Sequence, residues 1–463
     1  MMRIASSEHR AADGRTPQPA NASGSPDRER VRSRPLLLME RTMYRDGHTP
    51  FTSVFSIKLQ GHLDECQLRA ALQHLQSKHP LLRCIVDDWS ERPRFVLQDA
   101  PAPLPLRIMD RLSEDQWETE VRREWITPFS GTVEALVRLT WLRGSGIHNL
   151  ILSAHHCICD GQAGIALLQD LLRAYSDPEC DLGHDELHDL EDIVPQAILQ
   201  DPKFHRQLRW RRRGFECFLW WKTRHIAKPA PIDVESMYFH RSVLSREITQ
   251  AVAGRAKDEQ VTLLAPITLA FVQAFHDVRG TGAFKQVSAM VNARRFLPRI
   301  RPDGLFGLAP GVQMRVKDLS PPADGGMPAF WKQAQAIKTD LDKRVSHLGT
   351  VFYQYLVSLE GLHHRYNSVV EFFDGTPAIR NLTFSNMGRL AVRAQYGELR
   401  LAKVYSPLVM VSPTPANTVV LSSFAGEMEF AIISDEHSLP RADAEAISLR
   451  VAEILRASTV GSK

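Results

Sequence analysis

Hydrophobic and polar positions alternate from Phe51 onward. Phe51, Ser53, Phe55, Ile57 and Leu59 fall on one side, and Thr52, Ser56 and Lys58 on the other. A period of two predicts a strand, which Gly61 ends. The period then changes. Leu68, Leu72 and Leu75 recur at helical spacing, with Asp64 as N-cap, Gln67 as its capping-box partner and Pro80 as the stop. A second cap, Ser113 with Gln116, opens a helix lined by Trp117, Val121 and Trp125. Strands are predicted at about 133–142 and 148–157, and a helix at about 162–175 that carries Ile165, Leu168, Leu172 and Tyr175. Further on, a helix from Thr262 carries Leu263, Ile267, Phe271 and Phe275, with Pro266 in its first turn, where proline costs little. Strand-like runs recur at about 284–293, 381–386, 404–411, 418–424 and 427–434, and helical runs at about 329–345 and 439–457.

Strands and helices interleave throughout, which predicts an α/β (α+β) protein of two mixed halves. Residues 1–33 are rich in Ser, Ala, Pro, Gly, Arg and Asp and read as a disordered arm. Residues 34–190 form the first lobe, 191–231 a charged crossover and 232–463 the second lobe. The crossover follows an acidic stretch from Glu179 to Asp192. Its basic residues, Arg206 to Lys228, surround Phe215, Phe218, Trp220 and Trp221. One reading is a solvated helix with a buried aromatic face, because long basic side chains cover apolar surface. The other is a docking surface for an acidic carrier protein or an anionic membrane face.

Composition narrows the classes. With 463 residues, 43% hydrophobic and 24% charged, the chain is globular rather than fibrous or wholly disordered. No run of 18 apolar residues predicts a transmembrane helix. A net charge of +4 does not imply nucleic acid, and none is expected as a partner. The cysteines at 66, 84, 157, 159, 180 and 217 include no CxxC, and no secretory h-region stands near the N-terminus. They read as reduced thiols of a cytoplasmic protein, peripheral to a membrane if the basic stretch docks on one.

The chemistry concentrates at His155-His156-Cys157-Ile158-Cys159-Asp160-Gly161, directly after an apolar run. In a strand, Leu150, Leu152, Ala154 and His156 share one face, and Ile151, Ser153 and His155 the other. The two histidines therefore have different jobs. Asp160-Gly161 breaks the strand, so a histidine there can face a cleft and accept a proton near neutral pH. Asp160 has two options: to orient a histidine, or to turn away and pin the loop through an arginine elsewhere. A metal site from His155, Cys157, Cys159 and Asp160 is disfavoured, because alternating positions splay their ligands; no metal is predicted. Cys157 and Cys159 face away from His156 in strand geometry, so a Cys–His nucleophile is disfavoured too.

The segment resembles the HHxxxDG motif of the condensation-domain-like, thioester-dependent acyltransferases. That superfamily includes nonribosomal peptide condensation domains, plant BAHD enzymes, polyketide-associated acyltransferases, alcohol acetyltransferases, wax ester synthases and chloramphenicol acetyltransferase. Other segments are similar to it: Arg34-Pro-Leu-Leu-Leu-Met-Glu40-Arg41, His79-Pro80-Leu81-Leu82-Arg83, Val291-Asn292-Ala293-Arg294-Arg295-Phe296-Leu297 and Thr383-Phe384-Ser385-Asn386-Met387-Gly388-Arg389. The pattern is nearest the polyketide-associated and alcohol O-acyltransferase groups, and without a DFGWG it departs from the plant group.

The resemblance implies two chloramphenicol-acetyltransferase-like lobes, each a mixed sheet flanked by helices, with an active-site tunnel between them. It implies His156 as general base, with His155, Asp160 and Gly161 structural. Arg294, or less well Arg295, would hold Asp160 across the lobes. Ser385 and Asn386 are candidate oxyanion or substrate contacts, unless they bond the backbone at a strand end. The implied reaction moves an acyl group from a thioester to an alcohol, in secondary-metabolite or lipid biosynthesis, without an acyl-enzyme. Acyl-CoA or a phosphopantetheinyl carrier protein is the co-substrate, and no cofactor is bound. The alternatives are a free-standing nonribosomal-peptide-type enzyme forming an amide, and a non-catalytic carrier-docking protein of the same fold that uses Arg206–Lys228.

Overall fold

Two mixed sheets organise the chain, and each is built around strands buried on both faces. The computed structural model describes residues 32–225, 233–281, 283–284, 286–308, 310–315, 326–375, 381–409 and 417–459. The first part runs β1 (Ser33–Pro35), α1 (Leu38–Tyr44), β2 (Thr52–Gln60), α2 (Glu65–Lys78), β3 (Cys84–Asp87), β4 (Arg94–Leu97), β5 (Leu106–Asp110), α3 (Gln116–Ile126), β6 (Val137–Arg143), β7 (Ile147–His155) and α4 (Gly161–Ser176). Short helices α5 (Leu190–Ile193) and α6 (Gln196–Leu199) lead to α7 (Pro202–Thr223). The second part runs β8 (Met237–Leu244), α8 (Arg246–Asp258), α9 (Leu264–Arg279), β9 (Gln286–Met290), β10 (Gly311–Arg315), α10 (Gly326–Glu360), α11 (Tyr366–Gly375) and β11 (Asn381–Arg389). It closes with β12 (Gln395–Tyr396), β13 (Leu399–Val404), β14 (Leu408–Val409), β15 (Asn417–Phe424), β16 (Glu427–Asp435) and α12 (Arg441–Ser458).

The first sheet has the order β12-β13-β2-β7-β6-β5, with β14 also on β2, and the second the order β10-β9-β11-β15-β16-β8. Both mix parallel and antiparallel pairs. A third, small sheet joins β1, β4 and β3. The chain does not divide cleanly between the sheets. Residues 395–409, late in the sequence, return to extend the first sheet alongside β2.

The period-two reading of β7 explains its neighbours. Ser153 meets Glu124 of α3 on one face. On the other face Phe55, opposite Leu152, packs on Gly164 of α4. Helices thus cover both sides of the central strands, which accounts for a nearly continuous buried run in β7.

Several local expectations change. Asp64 caps α2 by accepting the Gln67 amide, but its own N–H donates to Tyr175 Oη, so no reciprocal box forms. The second helix starts at Gln116 rather than at a Ser113 cap, because the Gln116 side chain ties back to Leu112 and Asp110. β7 ends at His155, and His156 already lies in the turn. Residues 1–31 of the expected arm lie outside the described residues, as do 226–231 of the crossover, whereas Ser33 pairs with Val96.

Candidate active site

The motif sits where β7 leaves its sheet. The His156 N–H donates to Phe51 O at 2.7 Å, and the Ile158 N–H folds back to His155 O at 3.1 Å. This turn buries Cys157 and Cys159 completely, and burial pushes both thiols well above their ordinary range. They are small apolar packing groups here, not thiolates.

His156 is half-buried. Its Nδ1 lies 2.9 Å from Cys159 O. A carbonyl only accepts, so this bond assigns the ring proton to Nδ1 and leaves Nε2 with its lone pair. Among the described residues no side chain or backbone group bonds Nε2. Burial pushes the imidazole below its ordinary value, against the smaller opposing pulls of the Cys159 carbonyl and the Asp160 charge.

His155 differs in place and in tautomer. It lies on the α3 face, buried beside Tyr44 and Phe129 at ring separations of 5.8 and 6.0 Å. Its Nδ1 accepts the Cys157 N–H at 3.2 Å, which puts its proton on Nε2. Burial lowers it to about 3, so it is neutral at physiological pH.

Asp160 turns away from both histidines. One oxygen accepts the Ala163 N–H at 2.9 Å and caps α4; the other meets Arg294 Nη1 at 2.5 Å. Arg294 stands in a short 3-10 turn after β9, started by Asn292 Oδ1 on the Arg294 N–H. Its second nitrogen donates to Gly304 O at 2.8 Å. Arg295 is exposed and lies over Phe296, so Arg294 is the partner of Asp160.

Sequence reasoning missed the segment that braces this loop, residues 303–308. The Asp160 N–H donates to Phe306 O. A Cβ on Gly307 would meet His156 O at 2.3 Å and Cys157 O at 2.4 Å, so only glycine allows this backbone-to-backbone approach. The segment is itself tied down. Asp185, which burial would raise but the His79 imidazole and two backbone N–H groups hold below the usual carboxylate range, accepts the Leu305 N–H at 3.1 Å. Asp303 pairs with the fully buried Lys78, which also holds Asp170. The signal was the His79-Pro80-Leu81 turn together with Gly304 and Gly307, but neither names its partner without the fold.

β11 approaches from the other lobe. Met387 presses on Gly161, where a Cβ would stand 2.4 Å from its sulfur. Ser385 shares the Met387 side of the strand and is half-buried. Asn386 alternates with Leu382 and Phe384 of the second core; it is exposed, and its Oδ1 accepts the Gly388 N–H at 2.9 Å. The strand therefore turns Ser385 toward the seam and commits the Asn386 oxygen to its own bulge. An apolar cavity lined by Leu37, Met39, Phe306, Gly307, Leu308 and Leu356 shares Gly307 with the site but is not lined by His156.

Residues 41–187 match the condensation-domain family model. Among curated relatives, chondramide synthase cmdD of Chondromyces crocatus is 26% identical over 261 residues, 51% of this chain and 6% of that protein. The chain thus spans a small fraction of the relative's length. Among solved structures, the TRI3 trichothecene 15-O-acetyltransferase of Fusarium sporotrichioides superposes with a TM-score of 0.67 at 13% identity, covering 92% of this chain and 95% of that one. The condensation domain of the Monacolin K polyketide synthase MokA gives 0.65 at 13% identity, covering 91% and 97%. Residues 41–187 are thus similar in sequence to condensation domains, and the chain shares the two-lobed fold of these solved structures.

Proposed function

We propose that the protein transfers an acyl group from a thioester to an alcohol, with His156 as general base. The observation that carries this is the His156–Cys159 bond. It fixes a neutral imidazole with an unoccupied Nε2 lone pair at the seam of two lobes. In the proposed step, Nε2 takes the acceptor hydroxyl proton as the oxygen attacks the thioester carbonyl. The tetrahedral intermediate collapses, the C–S bond breaks, and the histidinium returns the proton to the leaving thiolate. No acyl-enzyme forms. Holding both substrates at one seam lowers the barrier by up to about 7–11 kcal/mol in favourable cases.

The oxyanion needs donors. The first amides of α4 have no partner within the helix, and Ser385 lies on the facing strand. Asp160, Arg294 and His155 are positioning groups: Asp160 is committed to Ala163 and Arg294, His155 accepts the Cys157 N–H, and none of the three bonds Nε2. The donor is acyl-CoA or an acyl chain on a phosphopantetheinyl carrier protein. The second reading, an amine acceptor and an amide product, is favoured by the condensation-family match over residues 41–187.

The test is intact-mass product analysis with acyl-CoAs and acyl-carrier proteins against paired alcohol and amine acceptors. Ester formation is expected, and His156→Ala should lower kcat about 100- to 10,000-fold with an unchanged thermal midpoint. Amide formation alone would establish the second reading. Near-normal turnover by the variant overturns the base assignment.

A further inference from the structure

The crossover helix α7 does not bury its tryptophans. Its inner face is Leu208 and Leu219, the latter packed with Leu359, Leu362 and Val369 of the α10–α11 region. Glu216, the only carboxylate between Pro202 and Arg224, also points inward, where it meets Arg212 and His364. Arg211 is tied to Gln354 at 2.9 Å. What remains outside is unlike an ordinary solvated face. Trp210, Trp220 and Trp221 are 71, 54 and 55% exposed.

Arg206, Trp210, Arg213, Cys217, Trp221 and Arg224 follow one another at spacings of three and four, so they form a single stripe along the helix. Lys203 and Arg209 flank it. Among the described residues, Lys203, Arg206, Arg209 and Arg213 have no carboxylate partner, and Arg224 lies over the Trp220 ring at 3.8 Å. Phe218 on the same helix and Phe373 on α11 continue the exposed apolar surface.

We propose that this outward face of α7 is an interfacial anchor that seats the protein on an anionic bilayer. The argument is one of geometry and charge. A protein–protein hot spot gathers its aromatic residues into a dry centre with a polar rim. Here indole and guanidinium alternate along a stripe of roughly 27 Å with no such centre. A helix lying flat at a membrane surface wants that arrangement: each indole enters the headgroup boundary, and each cation meets a lipid phosphate. The uniform sign of the charge selects an anionic surface over a neutral one. No helix among the described residues is long and apolar enough to span a membrane, so the contact is peripheral. It also needs nothing from His156 and stands apart from the proposed reaction.

The test is co-sedimentation of the full chain with vesicles of phosphatidylcholine containing one third phosphatidylglycerol, against vesicles of phosphatidylcholine alone. Binding to the mixed vesicles only is expected, weakening as salt is raised. The triple variants W210S/W220S/W221S and R206Q/R213Q/R224Q should each lower partitioning at least about tenfold. Both should keep the parent's thermal midpoint and its turnover of soluble substrates, since none of these residues touches the motif seam. Failure of the parent chain to pellet overturns the proposal. So does vesicle binding that neither variant weakens. Variant-sensitive binding to an acidic carrier protein, or variant-sensitive self-association, overturns it when the parent shows no affinity for vesicles.

Discussion

Two arginine–carboxylate pairs stand where the two sheets approach each other, and they are built on opposite principles. At the motif, Arg294 reaches Asp160, and the surrounding contacts are backbone: the Gly304 and Phe306 carbonyls, and Gly307 against the His156 and Cys157 carbonyls. At the other seam, Arg241 of β8 pairs with Glu429 of β16 and donates to Ser406 O, in the stretch that returns to the first sheet. That arginine lies among rings, 5.0 Å from Trp117 and 5.2 Å from Tyr405, which themselves stack at 3.8 Å. Rings and side chains can shift to absorb a change; apposed main chains cannot. The first seam therefore sets where an imidazole points, and the second sets only how the lobes sit together.

Removing each arginine separates the two roles. Arg294→Met leaves the Asp160 carboxylate buried and uncompensated, which should cost about 3–5 kcal/mol by chemical denaturation. It should also collapse kcat, because the cap of α4 and the His156 turn hang on the same carboxylate. Arg241→Met should cost less, about 1–3 kcal/mol, because Glu429 keeps the Ser406 N–H at 2.8 Å and Lys403 at 3.4 Å. Its folded fraction should turn over normally. Equal losses of kcat in the two variants would erase the distinction.

A pair of glycines sharpens it further. Gly307→Ala drives a methyl into two carbonyl oxygens that cannot retreat, and should cost about 1–3 kcal/mol together with most of the activity. Gly161→Ala meets only the flexible end of Met387 and should cost less than Gly307→Ala in both stability and kcat/KM. Parallel unfolding curves and steady-state rates on the two variants decide this. A milder Gly307→Ala would mean that the 303–308 segment does not brace the motif.

The same contrast explains what a single sequence discloses. β2 and α4 were legible from the period of their apolar positions, and β7 from an apolar run that is buried on both faces. The opposed roles of His155 and His156 followed from strand alternation, even though His156 itself sits one residue beyond the strand. The Arg294 latch needed the family resemblance, since its partner is 134 residues away. Nothing local announced that residues 395–409 would rejoin the first sheet, because strand pairing is chosen by surfaces that exist only after folding. Of the two readings of the basic–aromatic stretch, a buried aromatic face or a docking surface, the first does not form on α7: the helix spends its inner face on two leucines and leaves three tryptophans outside.

The smallest effect expected is one of pH, and it distinguishes the adjacent histidines without touching either seam. Burial holds His155 at about 3 in the folded chain, against about 6.5 when unfolded. Between those values the unfolded chain binds a proton that the folded one refuses. Stability should therefore fall as pH drops below about 6.5, by at most about 1.4 kcal/mol per unit for this residue alone. His155→Asn, which cannot titrate, should flatten that slope in urea unfolding between pH 7 and 5 by about 1 kcal/mol per pH unit. His156 is also held below its ordinary value, but its titration is read in rate: kcat/KM should be level at neutral pH and fall on an acid limb lying below 6.5. A limb above 6.5 would mean that burial does not lower the ring's proton affinity. An unaltered stability slope in His155→Asn would mean that the inner histidine takes its proton in the folded state as well, and the two rings would then differ in position but not in chemistry.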